Sequence, residues 1–419
     1  MSLDRYPYYL KFIAELRMHQ KKKRNELIEI QNKKLKHIIN YAYNFVPYYR
    51  SLFDNVNLDP YKIKTIEDLQ KIPMTTKKDI QANYDKIISA NTNIDECKIT
   101  NTTGSTGIPL RICSDKKSLI YSSALYYFAF FESGLKLMDK SLELTGILEE
   151  EKGLLRKCIV STYDRPEEVI KKVKKYNPDV MYSFPSIFKM MSYYLNSDEV
   201  NTRLLFTHGE TLTESCRKFI GDTFGAEVFN TYGSTEFNRL AFECSEHSGQ
   251  HMITDGAIIE LVKNGEIVGE GEEGEVVVTG LYNYSMPLIR YKLGDIGILA
   301  DYECNCGRKW PLIKSIEGRC DDYLTLPSGR ILSPRNINVI ENIPGILQYR
   351  TIQKKKDTFF VQVIPGKDFS IETKKLIEEK IRMGCLGEDI KVEIETVKEL
   401  SREKTGKLRT IISNINNIK

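Results

Sequence analysis

No part of this chain is an apolar run long enough to cross a bilayer. The longest uncharged, apolar-rich run covers residues 119–131 and includes two serines. A spanning helix needs roughly 20 apolar residues, so a membrane-embedded protein is not expected. The opening MSLDRYPYYLKF lacks the apolar core of a secretory signal, which makes the cytoplasm the expected location. A strong charge of one sign is also missing. With 61 basic and 57 acidic residues the net charge is only +4, which gives no electrostatic case for a nucleic-acid partner. The one basic run, 21–24, reads as a solvated helix face. There is no internal repeat and no low-complexity segment. Histidine is scarce, at five residues, and the nine cysteines are an odd, irregularly spaced set. That pattern fits reduced thiols or a metal site better than a disulfide framework.

What is present is 419 residues, 41% apolar and 28% charged, enough for a globular protein of two or three domains. Residues 1–90 read as helical, with RNELIEIQNKKLKHIINYAYNFVPYY carrying helical spacing until Pro47 stops it. SLIYSSALYYFAFFESGL reads as a buried helix. Strands and helices then alternate: KCIVST, RPEEVIKKVKKYN, DVMYSF, PSIFKMMSYYL, RLLFTHG, TESCRKFIGDTF, AEVFNTYG. That alternation predicts a parallel sheet covered by helices. Near residue 252 the pattern changes. AIIELVKNGEIVGEGEEGEVVVTGL alternates apolar and polar residues around Gly-rich turns and predicts antiparallel strands. From YLTLPSGRILS onward the remainder predicts a compact α+β unit, with the boundary at EGRCDD, 317–322. The expected architecture is α/β: a large N-terminal domain, 1–318, of parallel and mixed sheets covered by helices, and a small mobile C-terminal α+β domain, 319–419.

Six short segments carry the chemistry. NTTGSTGIPL at 101–110 packs hydroxyls and glycines into a loop that could turn amides toward a phosphate, or could be a polar surface turn. HGETLT (208–213), TYGSTEF (231–237), MPLIRYKLGDIG (286–297), EGRCDDYL (317–324) and SREKTGKLRT (401–410) follow in order. Together they resemble the adenylate-forming superfamily of acyl-CoA synthetases. Within it they are similar to the branch of phenylacetate–CoA ligases, CapK-like proteins and coenzyme F390 synthetases. YNFVPYYRSLF and IEDLQKIPMTTKKDI are similar to the same branch, so the resemblance covers nearly the whole chain.

The resemblance implies ATP, Mg²⁺ and CoA as cofactors and a small carboxylic acid as substrate, aromatic acids included. Thr102, Thr103, Gly104, Ser105, Thr106 and Gly107 would hold the β- and γ-phosphates. The family loop often carries a lysine where this chain has Ile108, which shifts weight onto arginines elsewhere. Gly209 and Glu210 would run their backbone past adenine. Tyr232 would stack on it, beside Gly233 and Ser234. Thr235 would touch the α-phosphate and Glu236 would hold Mg²⁺, an oxygen ligand for a hard cation; otherwise Glu236 is an exposed loop carboxylate. Asp295 would accept the ribose hydroxyls, or else form a turn beside Gly294. Arg319 would reach phosphate or ribose, and Asp321 would be the pivot of the small domain. Lys407 would stabilise charge developing at the α-phosphate. The aromatic MYSFPSIF at 181–188 would line the acid pocket or be plain core.

The reaction implied is carboxylate attack on ATP to give acyl-AMP, then transfer to CoA after the small domain rotates. Alternatives keep the adenylate but change the acceptor to an amine, a carrier-protein thiol or a coenzyme hydroxyl. A non-catalytic nucleotide-binding factor for surface polysaccharide is a further alternative. Separately, Cys244 and His247 with Cys304 and Cys306 have the spacing of a closed structural Zn²⁺ site, with His251 as the substitute for His247 and reduced surface thiols as the alternative. Oligomeric state stays open, a dimer being one option.

Overall fold

A computed structural model describes residues 6–102, 109–146, 157–196, 198–403 and 405–415. These form two compact units, 1–134 with 231–315, and 135–230 with 316–419. The chain passes from the second back to the first inside the strand Glu227–Ser234.

The first unit opens with helices Tyr6–His19, Arg24–Phe45 and Pro47–Asn55. Arg24–Phe45 buries Leu27, Gln31, Leu35, Ile38, Ile39 and Ala42, a stripe at helical spacing. Pro47 ends it as expected and serves as the first residue of the next helix, where its missing N–H costs nothing. The expected buried helix is Lys116–Glu132, capped by the Asp115 carboxylate accepting from the Ser118 N–H at 2.7 Å. It packs Phe128 edge-on against Phe242, with ring centroids 5.8 Å apart. The strands hydrogen-bond in the order Glu266–Ile267, Ala257–Lys263, Glu273–Gly280, Tyr291–Leu299, Leu312–Arg319, Gln250–Met252, Asn238–Glu243, Glu227–Ser234. The pairings on either side of Ala257–Lys263 are antiparallel, as the alternation predicts; those on either side of Asn238–Glu243, a strand not expected from sequence, are antiparallel too.

Two strands absent from the sequence reading, Lys98–Asn101 and Arg111–Ser114, form an antiparallel hairpin. Its polar side chains hide it from a periodicity search.

The second unit holds the expected parallel strands. Leu204–His208, Val180–Ser183, Ser141–Thr145 and Lys157–Ser161 lie side by side in that order. Ser141–Thr145 was not expected. Helices Pro166–Tyr176, Pro185–Met191 and Glu214–Phe224 bury Val169, Ile187, Phe188 and Ile220 against these strands. The C-terminal segment builds its own four-stranded sheet, ordered Lys391–Thr396, Thr358–Pro365, Ile346–Lys355, Ile411–Ser413. The helix Ile371–Gly384 buries Ile377 and Ile381 in the same core. No helix among the described residues is long and apolar enough to cross a membrane.

Candidate active site

The first unit shapes three of the expected segments. At the end of Glu227–Ser234 the register with Asn238–Glu243 slips between Tyr232 and Gly233. Gly233 is needed there, because a Cβ would sit 1.9 Å from the Asn238 carbonyl oxygen. The bulge leads into the turn that holds Thr235, which is exposed, and Glu236, which is half-buried. The Ser234 hydroxyl closes this turn by accepting from the Phe237 N–H at 3.3 Å.

Asp295 is placed by a second irregularity. Glu275 pairs with Ile296 but Val277 with Lys292, so Leu293, Gly294 and Asp295 bulge out opposite Val276. Gly294 supplies the positive φ, +83°, that this requires. The result joins two motifs, since the Tyr232 hydroxyl donates to Asp295 Oδ2 at 2.8 Å. Tyr291, a residue the sequence reading passed over, donates to Glu236 Oε1 at 3.2 Å. The cluster therefore presents two carboxylates, each oriented by a tyrosine hydroxyl.

The hydroxyl loop is closed at its neck by Thr102, whose N–H donates to Leu110 O and whose Oγ1 accepts from Leu110 N, both at 2.8 Å. Thr102 therefore spends its backbone donor and a hydroxyl lone pair on holding the loop rather than presenting both to a phosphate. Thr103, Gly104, Ser105, Thr106 and Gly107 lie outside the described residues.

The second unit carries the remaining expected residues. Gly209 has φ +74°, and a Cβ there would meet the Phe184 ring at 3.0 Å. His208 packs on the same ring at 5.0 Å between centroids. Most of MYSFPSIF is core: Tyr182, Phe184, Ile187 and Phe188 are all buried.

Glu210 reaches the segment that bears Lys407. One carboxylate oxygen accepts from Leu408 N at 2.6 Å and Ser186 Oγ at 3.0 Å, and the other accepts from Ser186 N at 3.0 Å. Arg402 Nη1 donates to both Ser186 Oγ and Gly406 O at 2.9 Å. Burial pushes the Glu210 carboxyl above its usual value, against the opposing pull of Arg402, the Leu408 and Ser186 N–H groups and Lys407. Further along the loop, Gly146 N donates to Thr405 O at 2.8 Å and Tyr163 Oη to Glu403 O at 3.2 Å. Gly406 has φ +88° and lies so close to Thr162 that a Cβ would be 2.4 Å from its hydroxyl.

Arg319 is half-buried at the end of Leu312–Arg319, and Asp321 lies in the short turn Cys320–Asp322. Its neighbour Asp322 pairs with Arg409. Burial raises the Asp322 carboxyl above its ordinary value although Arg409, Arg319 and Lys407 all pull it down. Ser186, Arg402, Asp322 and Arg409 were missed from sequence. Arg402 and Arg409 flank Lys407 inside SREKTGKLRT, and that shared segment was the available signal.

The metal expectation needs one correction. Cys244, His251, Cys304 and Cys306 offer ligand atoms that all lie within 4.8 Å of one another. Cys244 Sγ is 3.5 Å from Cys304 Sγ, and Cys306 Sγ is 3.3 Å from His251 Nε2. His247, the residue favoured by spacing, is not in the group. Its backbone turns at φ +48° with its N–H on Cys244 O, and its ring Nδ1 meets Glu243 Oε2 at 3.4 Å. His251 replaces it because the strand Gln250–Met252 pairs with Leu312–Arg319, the element reached directly after the Cys304–Cys306 loop. Three cysteine sulfurs and an imidazole at these separations fit a tetrahedral Zn²⁺, to which the cysteines would bind as thiolates.

Comparison with known proteins follows the same lines. Residues 156–286 match the AMP-binding enzyme family, and residues 324–414 match the CapK C-terminal domain. The chain is 26% identical over 362 residues to phenylacetate-coenzyme A ligase of Thermus thermophilus, covering 80% of each. It is 25% identical over 420 residues to Protein CapK of Staphylococcus aureus, covering 93% of this chain and 90% of that one. The fold superposes on a crystal structure of 2-hydroxyisobutyryl-CoA ligase in its postadenylation state with TM-score 0.81 and 19% identity, covering 94% of this chain and 91% of that one.

Proposed function

Since the chain belongs to the adenylate-forming superfamily, in the branch that holds phenylacetate–CoA ligase and CapK, we propose that it activates a carboxylic acid with ATP and passes the acyl group to CoA. A carboxylate oxygen attacks the α-phosphorus, the bond from that phosphorus to the bridging oxygen breaks, and pyrophosphate leaves. The CoA thiolate then attacks the acyl carbon and AMP leaves. The observation that carries this reading is that the Lys407 loop is seated on Glu210 of the HGETL motif, joining segments 198 residues apart in sequence.

Each residue has a part in that scheme. Lys407 meets charge developing on the α-phosphate and the attacking carboxylate. Tyr232 stacks on adenine while its hydroxyl holds Asp295, which accepts the ribose hydroxyls. Thr235 contacts the α-phosphate. Glu236 would ligate Mg²⁺, which when bound neutralises charge on the triphosphate. The Thr102-to-Gly107 loop would take the departing pyrophosphate. Arg319 serves the nucleotide, and residues 319–419 turn about Asp321 between the two half-reactions. The Cys244, His251, Cys304 and Cys306 group would hold a structural Zn²⁺ with no open position for substrate. The cytoplasm, where ATP and CoA are found, is the compartment proposed.

The direct experiment is ATP–pyrophosphate exchange over a panel of carboxylic acids that begins with phenylacetate, followed by loss of free CoA thiol with each active acid. Acid-dependent exchange in at least one case is expected. Folded protein that exchanges with none of the panel, while binding ATP, would refute the proposal.

A further inference from the structure

Glu210 has so far been placed near adenine through its backbone, but its side chain points to a separate task. Its carboxylate touches no other element as closely as it touches the loop of Lys407. It accepts the Leu408 N–H at 2.6 Å, the amide adjacent to Lys407 in the chain. Its other contacts, with the Ser186 N–H and hydroxyl at 3.0 Å, fix the carboxylate on its own side. Ser186 also receives Arg402, whose same nitrogen holds Gly406 O. The loop is thus gripped at Gly406 O and at Leu408 N, on both sides of Lys407. The lysine side chain itself is half-buried, and none of these hydrogen bonds is made to it.

We propose that Glu210, braced by Ser186 and assisted by Arg402, is the docking carboxylate for the lysine loop, a positioning residue that sets where Lys407 stands during adenylation. The inference rests on the proposed role of Lys407. Backbone groups are the right target for such a device. An amide and a carbonyl flanking Lys407 fix the position of its Cα without competing for its ammonium. Because the carboxylate and the amide lie on segments far apart in sequence, the bond can be made and broken as a unit when the C-terminal segment moves. Gly406 allows the loop to come this close, since any side chain there would strike Thr162. Release of the loop for the second half-reaction then requires only that these few hydrogen bonds exchange for water.

The test uses the full-length protein and two readouts. The first is amide hydrogen exchange of the 403–409 segment without ligands. Glu210→Ala should speed exchange there roughly ten- to hundredfold, the scale of one lost charge-assisted hydrogen bond, and leave the strand Leu204–His208 protected. Glu210→Gln keeps one acceptor oxygen and should fall between the two; it also serves if Glu210→Ala does not fold. The second readout is kinetic, with phenylacetate as the probe acid or the active acid of the panel. Glu210→Ala should lower kcat for pyrophosphate exchange by a similar factor with little change in KM for ATP. It should still pass phenylacetyl from supplied phenylacetyl-adenylate to CoA. In a Lys407→Ala background it should cost nothing more, because it acts through Lys407. Unchanged exchange of the 403–409 segment in both Glu210 variants would overturn the docking role, as would losses that add to those of Lys407→Ala. If Lys407→Ala itself keeps normal pyrophosphate exchange, it is the functional reading that fails, while hydrogen exchange still decides the docking.

Discussion

Asp255 is 2% exposed and ties two helices to the sheet of the first unit. Its Oδ1 lies 2.7 Å from both His19 Nδ1 and Lys34 Nζ. Burial opposes its charge, yet His19 and Lys34 outweigh that effect and hold the carboxyl below its ordinary value near 3.8. A depressed carboxyl stabilises the folded state above its unfolded value, and this contribution is lost as pH falls through the folded one. Asp255→Asn should therefore cost about 2–4 kcal/mol at neutral pH, because the ion pair with Lys34 is lost and the hydrogen bond with His19 is weakened. The cost should shrink as the pH falls below about 4, and urea unfolding of both proteins at pH 7 and below pH 4 checks this. A cost independent of pH would mean that shape, not charge, is what Asp255 provides. At this same scale lies the difference between His247 and His251. Chain spacing counts residues but does not give direction, so it could group Cys244, Cys304 and Cys306 and still favour an imidazole that lies outside their cluster. The left-handed turn at His247 was not visible in the residues, whereas the strand pairing that brings His251 to Cys306 is a property of the whole sheet.

Among the elements, those with a strong period were legible. Arg24–Phe45, Lys116–Glu132, the alternating strands and helices from Lys157 to Ser234, and the antiparallel run after Ala257 all formed where expected. The elements that escaped include short or polar ones, Lys98–Asn101, Arg111–Ser114 and Ser141–Thr145, and also Asn238–Glu243, Gln250–Met252 and Leu312–Arg319. Their pairing partners, not their own composition, make them strands. The two bulges that place Tyr232 and Asp295 were equally hidden, although Gly233 and Gly294 mark both of them. The knuckles around Cys244 and Cys304 behave as one element if they share a metal. Purified protein should then contain about one zinc per chain. His251→Ala should lose the metal and His247→Ala should keep it, as elemental analysis of untagged protein would show. Retention by His251→Ala and loss by His247→Ala would reverse the ligand assignment.

For the whole molecule, the central claim is that one chain performs two half-reactions and that Lys407 serves only the first. The motifs could be found in the sequence because each needs particular residue types in a short segment. Their joining by Tyr232 with Asp295, and by Glu210 with Leu408, could not be found there, because it depends on side-chain direction over long separations. The most direct measurement compares Lys407→Ala with the parent chain in both steps, using the acid that supports exchange. Acid-dependent pyrophosphate exchange should fall by roughly two to three orders of magnitude, the scale of one electrostatic stabiliser. Transfer of the acyl group from the supplied acyl-adenylate to CoA should persist. Normal exchange in the variant, or an equal loss of both steps in a folded protein, would contradict the account.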